Sequence, residues 1–274
     1  MLSRLIARRP LASISVSLVN YRSLSRFQAA GIHFFASLIG TGLVALLTLL
    51  VWYPGELASL AGVVRILLMV IAIDVVLGPV ITFIVFDVRK PELGRDLLIV
   101  AIVQIAALGY GAYTVFAGRP VYMVFNAERL DLVYAGDISK GSLERGEAVG
   151  FGRLPVLGPQ LVAAVMPSDP AQAAKLVTEA LRGGDDIQYR PEYFRPVDVQ
   201  KSALQASLRP LDGLRTANPR AAAEVDGVIQ RGAARPSGAG YLELVSSGES
   251  AVAVFDRSSA ELLEIRRLNA GAKR

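Results

Sequence analysis

Cysteine is absent from this 274-residue sequence, and histidine occurs once, as His33. Without cysteine, the chain cannot form a disulfide scaffold, use thiol catalysis or hold zinc or iron–sulfur clusters through cysteine ligands. One histidine excludes paired-histidine metal motifs and leaves a histidine-based catalytic triad a single candidate. Charged residues are also scarce, at 19% of the chain against 53% hydrophobic residues. Soluble domains carry about 25% charged residues, so this composition, with a mean hydropathy of +0.44, favours a membrane protein.

Acidic residues are missing from residues 1–27, which contain five arginines. The other 247 residues hold 24 basic and 24 acidic side chains, so the formal net charge of +5 belongs to this short segment. A basic nucleic-acid-binding face is therefore not expected, and no nucleic-acid partner is predicted. Residues 1–26 are interpreted as a basic cytoplasmic arm, and a start residue assigned too far upstream is the alternative.

Three long apolar runs occupy residues 31–53, 63–86 and 97–116. Each is close to the roughly 20 residues that a helix needs to cross about 30 Å of hydrocarbon. The runs are apolar on all sides, which is not typical of helices that rest on a soluble core. Residues 27–118 are therefore predicted to form a three-helix transmembrane α bundle with membrane lipid as its surroundings. Buried helices of a large soluble protein are the alternative.

The distribution of basic residues predicts the orientation of these spans. The arm is rich in arginine, the link 87–96 contains three basic residues, and the link 54–62 contains none. Because cytoplasmic loops carry an excess of Lys and Arg, the arm and the second link are expected inside. Three spans then put residues 119–274 outside. In a bacterium, the protein would be a multi-pass protein of the inner membrane with a periplasmic domain.

Residues 119–274 have the composition of a small soluble α+β domain. A hairpin is predicted at 121–126 and 129–134, and residues 136–158 are expected to be mostly loop. Asp169 and Pro170 open one predicted helix, and two further helices are expected at 199–208 and from 218 to about 230. Three closing strands are predicted at 241–246, 251–256 and 261–268.

Asp74 lies near the middle of the second predicted span, where an ionisable group is a functional candidate and needs a partner. At 1.5 Å per residue it lies about 18 Å from the cytoplasmic end of its helix. Tyr110, at about 19 Å on the third span, and Thr41, at about 15 Å on the first, are the predicted partners. Gln104, at about 10 Å, matches less well. Asp74 is interpreted as a hydrogen-bonded group that holds the bundle together, as a site that recognises another membrane helix, or as a proton or ion site.

The segment that follows Asp74 predicts a kink. Pro79 has no backbone N–H and should free the carbonyl of Val75, and Gly78 permits close approach of another helix. Asp74, Gly78, Pro79 and Tyr110 are therefore the candidate residues for helix recognition or for a kink.

An aromatic loop bounded by prolines, with Tyr189, Tyr193 and Phe194, is the second candidate site. It is expected either to pack over the core or to form an exposed edge that binds a partner. The serine-nucleophile motifs GxSxG and SxxK are absent, and no other residues form a nucleophile with its base. The sequence predicts a protein that is not an enzyme, with no cofactor and no metal. An envelope transferase that uses acidic pairs is a weaker alternative.

Several motifs in the apolar half resemble the TfpX/TfpZ family of type IV pilin accessory proteins. They include SRF at 25–27, GIH at 31–33, WYPG at 52–55, DVVLGP at 74–79 and YGAYTV at 110–115. The resemblance covers residues 25–196 well and the rest loosely. It implies a bacterial inner-membrane protein that assists pilin handling in pilus assembly or retraction, with a type IV pilin subunit as partner and no catalytic residues. The alternative is a small proton- or ion-coupled membrane protein centred on Asp74. The sequence leaves the oligomeric state open, as well as the choice between stabilising pilin, guiding its insertion and tuning retraction.

Overall fold

The computed structural model describes residues 23–271. Most of the predicted basic arm, residues 1–22, therefore lies outside the described residues. Three long helices come first, at Arg26–Trp52, Val63–Val85 and Leu93–Ala117. Each is long and apolar enough to cross a membrane, so the predicted number of such helices is confirmed. They are called the first, second and third long helices below.

Exposed apolar side chains cover much of the surface of these helices. Leu50 on the first, Ile84 on the second and Ile105 on the third are examples. Apolar surface of this extent is unusual on a protein in water. If lipid surrounds the helices, this apolar surface does not need to be buried by other parts of the protein, because the lipid tails are as apolar as the side chains.

Two of the long helices begin earlier than the apolar runs predict. The first begins at Arg26 because Ser25 forms a capping box with Gln28. The backbone N–H of Gln28 donates to Ser25 Oγ at 3.2 Å, and the backbone N–H of Ser25 donates to Gln28 Oε1 at 2.9 Å. The third begins at Leu93 rather than at residue 97. Charged residues in its first turn interrupt the apolar run without interrupting the helix.

The remaining part of the chain is a strand-rich domain built on one eight-stranded mixed sheet that forms a half-barrel. Along the sheet the order is β4-β3-β1-β2-β6-β7-β8, with β5 paired to β6. The β1–β3 and β2–β6 pairs are parallel, and the other pairs are antiparallel. The strands are β1 Pro120–Asn126, β2 Arg129–Tyr134, β3 Gln160–Ala164, β4 Phe194–Pro196, β5 Arg209–Pro210, β6 Ala239–Ser246, β7 Glu249–Asp256 and β8 Leu262–Arg266.

Short helices connect and cover these strands. They span Leu57–Leu60, Lys140–Gly146, Pro170–Leu181, Lys201–Ser207, Gly213–Ala217 and Ala222–Ala233. The predicted hairpin, the helix opened by Asp169 and the three closing strands are confirmed, with ends that differ by up to two residues. The prediction of loop for residues 136–158 is wrong in part, because Ser139 caps a helix there. Strands β3, β4 and β5 are additional to those predicted.

The link between the first and second long helices is part of the core of the strand-rich domain. Leu57 and Leu60 lie in the same buried cluster as residues of β1, β2, β6 and β7. Arg267 donates to Ser59 Oγ at 2.8 Å, which adds a polar contact at the same place. Because this short helix is covalently tied to two long helices, its burial in the sheet fixes the domain to the bundle.

Asp256 organises the turn that follows β7. Its carboxylate accepts from the amides of Ser258 and Ser259 at 2.8 and 3.0 Å, and from the hydroxyls of Ser237 and Ser258. These bonds, of which the Ser259 amide contributes most, hold the pKa of Asp256 well below its usual range.

Replacing Asp256 by Asn should make the stability of the domain less sensitive to acid. A carboxylate with a lowered pKa stabilises the fold fully above its unfolded pKa of about 3.9 and loses that contribution as pH falls towards the folded pKa. We expect Asp256→Asn to lower the thermal midpoint at pH 7, and we expect this deficit to shrink progressively as the pH falls below about 4. Thermal unfolding followed by circular dichroism at several pH values measures this. The exposed Asp198→Asn variant is the control, and an equal deficit for Asp256→Asn at pH 7 and pH 3 would contradict the prediction.

Candidate functional site

Asp74 is 2% exposed and is the centre of a polar cluster inside the helix bundle. The Thr41 hydroxyl on the first long helix donates to Asp74 Oδ2 at 3.3 Å. The Gln104 amide on the third long helix donates to Asp74 Oδ1 at 2.9 Å. A single carboxylate on the second helix therefore binds both of the other long helices.

The backbone around Asp74 explains a further contact of Gln104. Residues Ala72–Leu77 are π-helical, and the Gly78 amide donates to the carbonyl of Ile73, five residues back. In the same pattern the carbonyl of Asp74 would need the amide of Pro79, which has no N–H. The Gln104 amide donates to this carbonyl at 2.9 Å. The missing Pro79 donor therefore leaves the carbonyl of Asp74 to Gln104, whereas the sequence assigned the freed carbonyl to Val75.

Thr41 is a partner of Asp74, as predicted, but the choice of Tyr110 over Gln104 is wrong. The third helix begins at Leu93, so Gln104 lies eleven residues from its start, and Asp74 lies eleven residues from the end of the second helix at Val85. Both are about 16 Å deep. The Tyr110 side chain is 73% exposed and is not one of the groups that bond to Asp74.

Gly78 allows the Gln104 amide to lie against the second helix. A Cβ atom added at Gly78 would come within 2.5–2.8 Å of the three atoms of the Gln104 amide group. Gly111 has a similar role further along, where a Cβ would lie 2.7 Å from Val70. The predicted close helix approach at Gly78 therefore exists, and the group that approaches is a polar side chain.

A groove of about 430 Å³ runs between the first and third long helices beside this cluster. Its walls are mainly apolar, and the second helix supplies Asp74, Thr82 and Phe86 to its lining. His33 Nδ1 hydrogen-bonds with Thr82 Oγ1 in the same lining, which adds a second polar pair. At one end, a Cβ at Gly40 would be in contact with Leu108 at 3.5 Å. The other lining residues are Leu24, Ala29, Ile32, Ala36, Ser37, Leu97, Val100, Ala101, Gln104 and Ile105.

The aromatic loop in the strand-rich domain packs over the core. Phe194 is 0% exposed and stacks edge-on with Tyr122 and Phe151 at centroid distances of 5.2 and 5.9 Å. Burial raises the pKa of Tyr122 to about 12 and also raises that of Tyr189. Phe194 pairs with Ala164 in the sheet and fills the core, which agrees with the first of the two alternatives for this loop. Tyr189 and Tyr193 are partly exposed, and their role stays a prediction.

Among residues 23–271, no group of three or more His, Cys, Asp or Glu side chains is placed to hold a metal ion. The polar side chains of the groove are a carboxylate, an amide, an imidazole and hydroxyls. Groups of this kind in an apolar bundle form hydrogen bonds with other helices or transfer protons. The fold and the site therefore define a small protein with three long apolar helices, a carboxylate-centred groove and a strand-rich domain.

Known proteins narrow this class to a family. Residues 21–62 match the family of the fimbrial assembly protein FimB. The chain is 34% identical over 119 residues to the fimbrial assembly protein of serogroups C1 and C2 from Dichelobacter nodosus, a match that covers 91% of that protein and 43% of this chain. It is 28% identical over 229 residues to the serogroup I and E1 proteins of the same organism, covering 82% of this chain and 88% of each relative. The chain therefore belongs to the fimbrial assembly protein family. No solved structure shows significant similarity to it.

Gly78→Ala should weaken the bundle by displacing Gln104. The new methyl group would occupy the space of the Gln104 amide, and interhelical hydrogen bonds in lipid contribute about 0.6–1.7 kcal/mol each. We expect a loss of about 1 kcal/mol in unfolding free energy, measured by thermal or denaturant unfolding in detergent.

The matched control is Gly109→Ala, where a Cβ meets nothing within 4 Å, so that the substitution should be neutral or stabilising. A double-mutant cycle with Gln104→Ala tests the cause. If Gly78→Ala costs as much in the Gln104→Ala background as in the native protein, displacement of Gln104 is not the reason.

Proposed function

We propose that this chain is an accessory protein of fimbrial assembly that acts in the bacterial inner membrane without catalysing a reaction. The relatives in Dichelobacter nodosus are named fimbrial assembly proteins, which supports a role in fimbrial biogenesis. The motifs at 52–55 and 74–79 are similar to those of the TfpX/TfpZ proteins, which supports the narrower assignment to type IV pilin accessory proteins. The three long helices would form the transmembrane bundle, followed by an α+β domain.

The groove between the first and third long helices is the observation that carries the proposal. Its polar groups are inside an otherwise apolar surface, where lipid tails offer them no hydrogen bonds. A carboxylate has about four acceptor sites, and Thr41 and Gln104 use two of those on Asp74. The hydrophobic helix of a pilin subunit would pack on the groove walls and donate to Asp74.

We propose the orientation that the charges predict, with the basic arm in the cytoplasm and the strand-rich domain in the periplasm. The link after the second helix carries Arg89 and Lys90, and Arg95 follows in the first turn of the third helix. Arg26 pairs with Asp87 of this link at 3.2 Å. These cations therefore gather at one end of the bundle, as the excess of Lys and Arg in cytoplasmic loops requires. Such a protein can contact both the membrane helix and the periplasmic part of a pilin subunit.

A photo-crosslinking amino acid placed in the groove should capture pilin in cells. We expect adducts from Ile32 and Ile105, which line the groove, because a docked helix would lie within reach of both. Ile84 is also an exposed isoleucine, but it lies outside the groove lining and is the matched control. Immunoblotting of the adducts with a pilin antibody is the measurement. Equal capture at all three positions would count against the groove as the binding site. Absence of capture at every position, together with an unchanged number of fimbriae after gene deletion, would count against the proposal as a whole.

Proton or ion coupling through Asp74 is the second candidate function. It is favoured by the burial of this carboxylate in the same groove lining as His33, since buried ionisable residues in membrane helices mark proton pathways.

Asp74→Asn separates the two functions because Asn keeps an acceptor oxygen and cannot release a proton. If the protein binds pilin, we expect fimbriae near the native number with Asp74→Asn and few with Asp74→Leu. The measurement is the number of fimbriae per cell by electron microscopy, with the protein level checked by immunoblot. Loss of fimbriae in Asp74→Asn at an unchanged protein level would instead support coupling.

A further inference from the structure

The loop that precedes β3 exposes large apolar side chains on the surface of the domain. We call residues 154–159, with the sequence LPVLGP, the apolar loop. Leu157 is 85% exposed, and Val156 beside it is also exposed. Most of the Leu157 surface is therefore not buried in the core of the domain, although Leu157 shares a depression with the core residues Leu57 and Met123.

The apolar loop lies at the level where the long helices end. Arg119 follows the third long helix directly, is buried, and donates to the carbonyl of Pro155 at 2.9 and 3.2 Å. The first long helix approaches from the other side, since a Cβ at Gly158 would lie 2.6 Å from the carbonyl oxygen of Val51. The loop is therefore in contact with the last turns of two long helices.

The direction of the strands agrees with this position. β1 begins at Pro120, just after the third long helix, and runs away from the bundle. β3 is parallel to β1, with Gln160 opposite Tyr122. The residues just before Gln160 are therefore on the side of the domain that faces the bundle.

The backbone of the apolar loop is held in a defined shape. Gly158 has φ +90°, in the left-handed region that favours glycine. Pro155 and Pro159 have restricted φ angles, and Arg119 binds the carbonyl of Pro155. These restraints fix the backbone on both sides of Leu157, and the exposed position of its side chain follows from them.

The exposed surface of the apolar loop continues the surface of the helix ends. Leu50 on the first long helix is exposed and lines a depression of about 490 Å³ together with Val51, Leu157 and Pro159. If the long helices are surrounded by lipid, the surface around Leu50 meets the boundary between head groups and acyl chains. Apolar side chains at that depth are buried by lipid.

We propose that the apolar loop inserts Val156 and Leu157 into the head-group and acyl boundary of the leaflet next to the strand-rich domain. Its partner is phospholipid. The inference rests on the transmembrane placement proposed above for the long helices. Insertion would fix the distance and tilt of the domain relative to the membrane, in addition to the contacts of the short helix Leu57–Leu60.

Single cysteines can test the insertion because the chain has no cysteine of its own. Leu157→Cys in the full chain is labelled with an environment-sensitive fluorophore and reconstituted in nanodiscs of phosphatidylethanolamine and phosphatidylglycerol. Some of the lipid carries a nitroxide quencher, placed either near the head group or deep in the acyl chain. We expect a blue-shifted emission, quenched more by the shallow nitroxide than by the deep one.

Two further labelled positions make the result specific. Leu181→Cys is the matched control, because Leu181 is 83% exposed and lies at the end of β1 that is far from the bundle. Its neighbour Glu179 binds Arg190. Gln188, two residues before Arg190, binds Asn126, the last residue of β1. The label at Leu181→Cys should not be quenched. Val103→Cys, exposed on the third long helix, should be quenched more by the deep nitroxide.

Each outcome separates the loop proposal from the membrane proposal. Quenching at Val103 without quenching at Leu157 overturns insertion of the apolar loop and leaves the transmembrane helices in place. Absence of quenching at both positions overturns the transmembrane placement itself. A blue shift at Leu157 that needs added pilin, with no lipid quenching, also overturns the proposal, because the partner would then be protein.

Discussion

The bundle depends on one requirement, that polar groups among apolar helices find their hydrogen bonds on other helices. Asp74 meets it with Thr41 of the first long helix and Gln104 of the third. In lipid the hydrophobic effect does not hold helices together, so close packing and such bonds must do so. Because both partners converge on one carboxylate, the separation of the first and third helices, and with it the shape of the groove, depends on Asp74.

The strand-rich domain is held to this bundle by buried apolar packing and by hydrogen bonds. The short helix Leu57–Leu60 is buried in the sheet. Tyr53, at the start of the same link, donates to the carbonyl of Val115 on the third long helix at 3.0 Å, which holds the link against the bundle. Arg119 joins the end of the third helix to the apolar loop. A partner that contacts both the groove and the domain therefore meets two surfaces in a fixed relation.

The sequence predicted the features that depend on local composition. The three apolar helices, the first hairpin and the capped helix after Asp169 follow from run length and turn residues. Where a long helix starts and stops depends on caps and charged turns as well as on the apolar run. The third helix starts at Leu93, four residues before the apolar run at residue 97, so the depth of Gln104 in the bundle was underestimated. β3, β4 and β5 are short strands whose partners are distant in the chain, and Phe194 is recognisable as a core residue only once β4 is paired.

The π-helical turn shows why Pro79, Gly78 and Gln104 act as one unit. Proline removes the donor that the Asp74 carbonyl would have used, and glycine leaves space for a side chain to approach that carbonyl. Gln104 then donates to both the carbonyl and the carboxylate of Asp74. Because this carbonyl has no backbone donor in the π-helical turn, the bond from Gln104 contributes directly to the stability of the irregular turn. The π-helical turn of the second helix is therefore matched by Gln104 on the third helix, and this contact holds the Asp74 carboxylate at the groove.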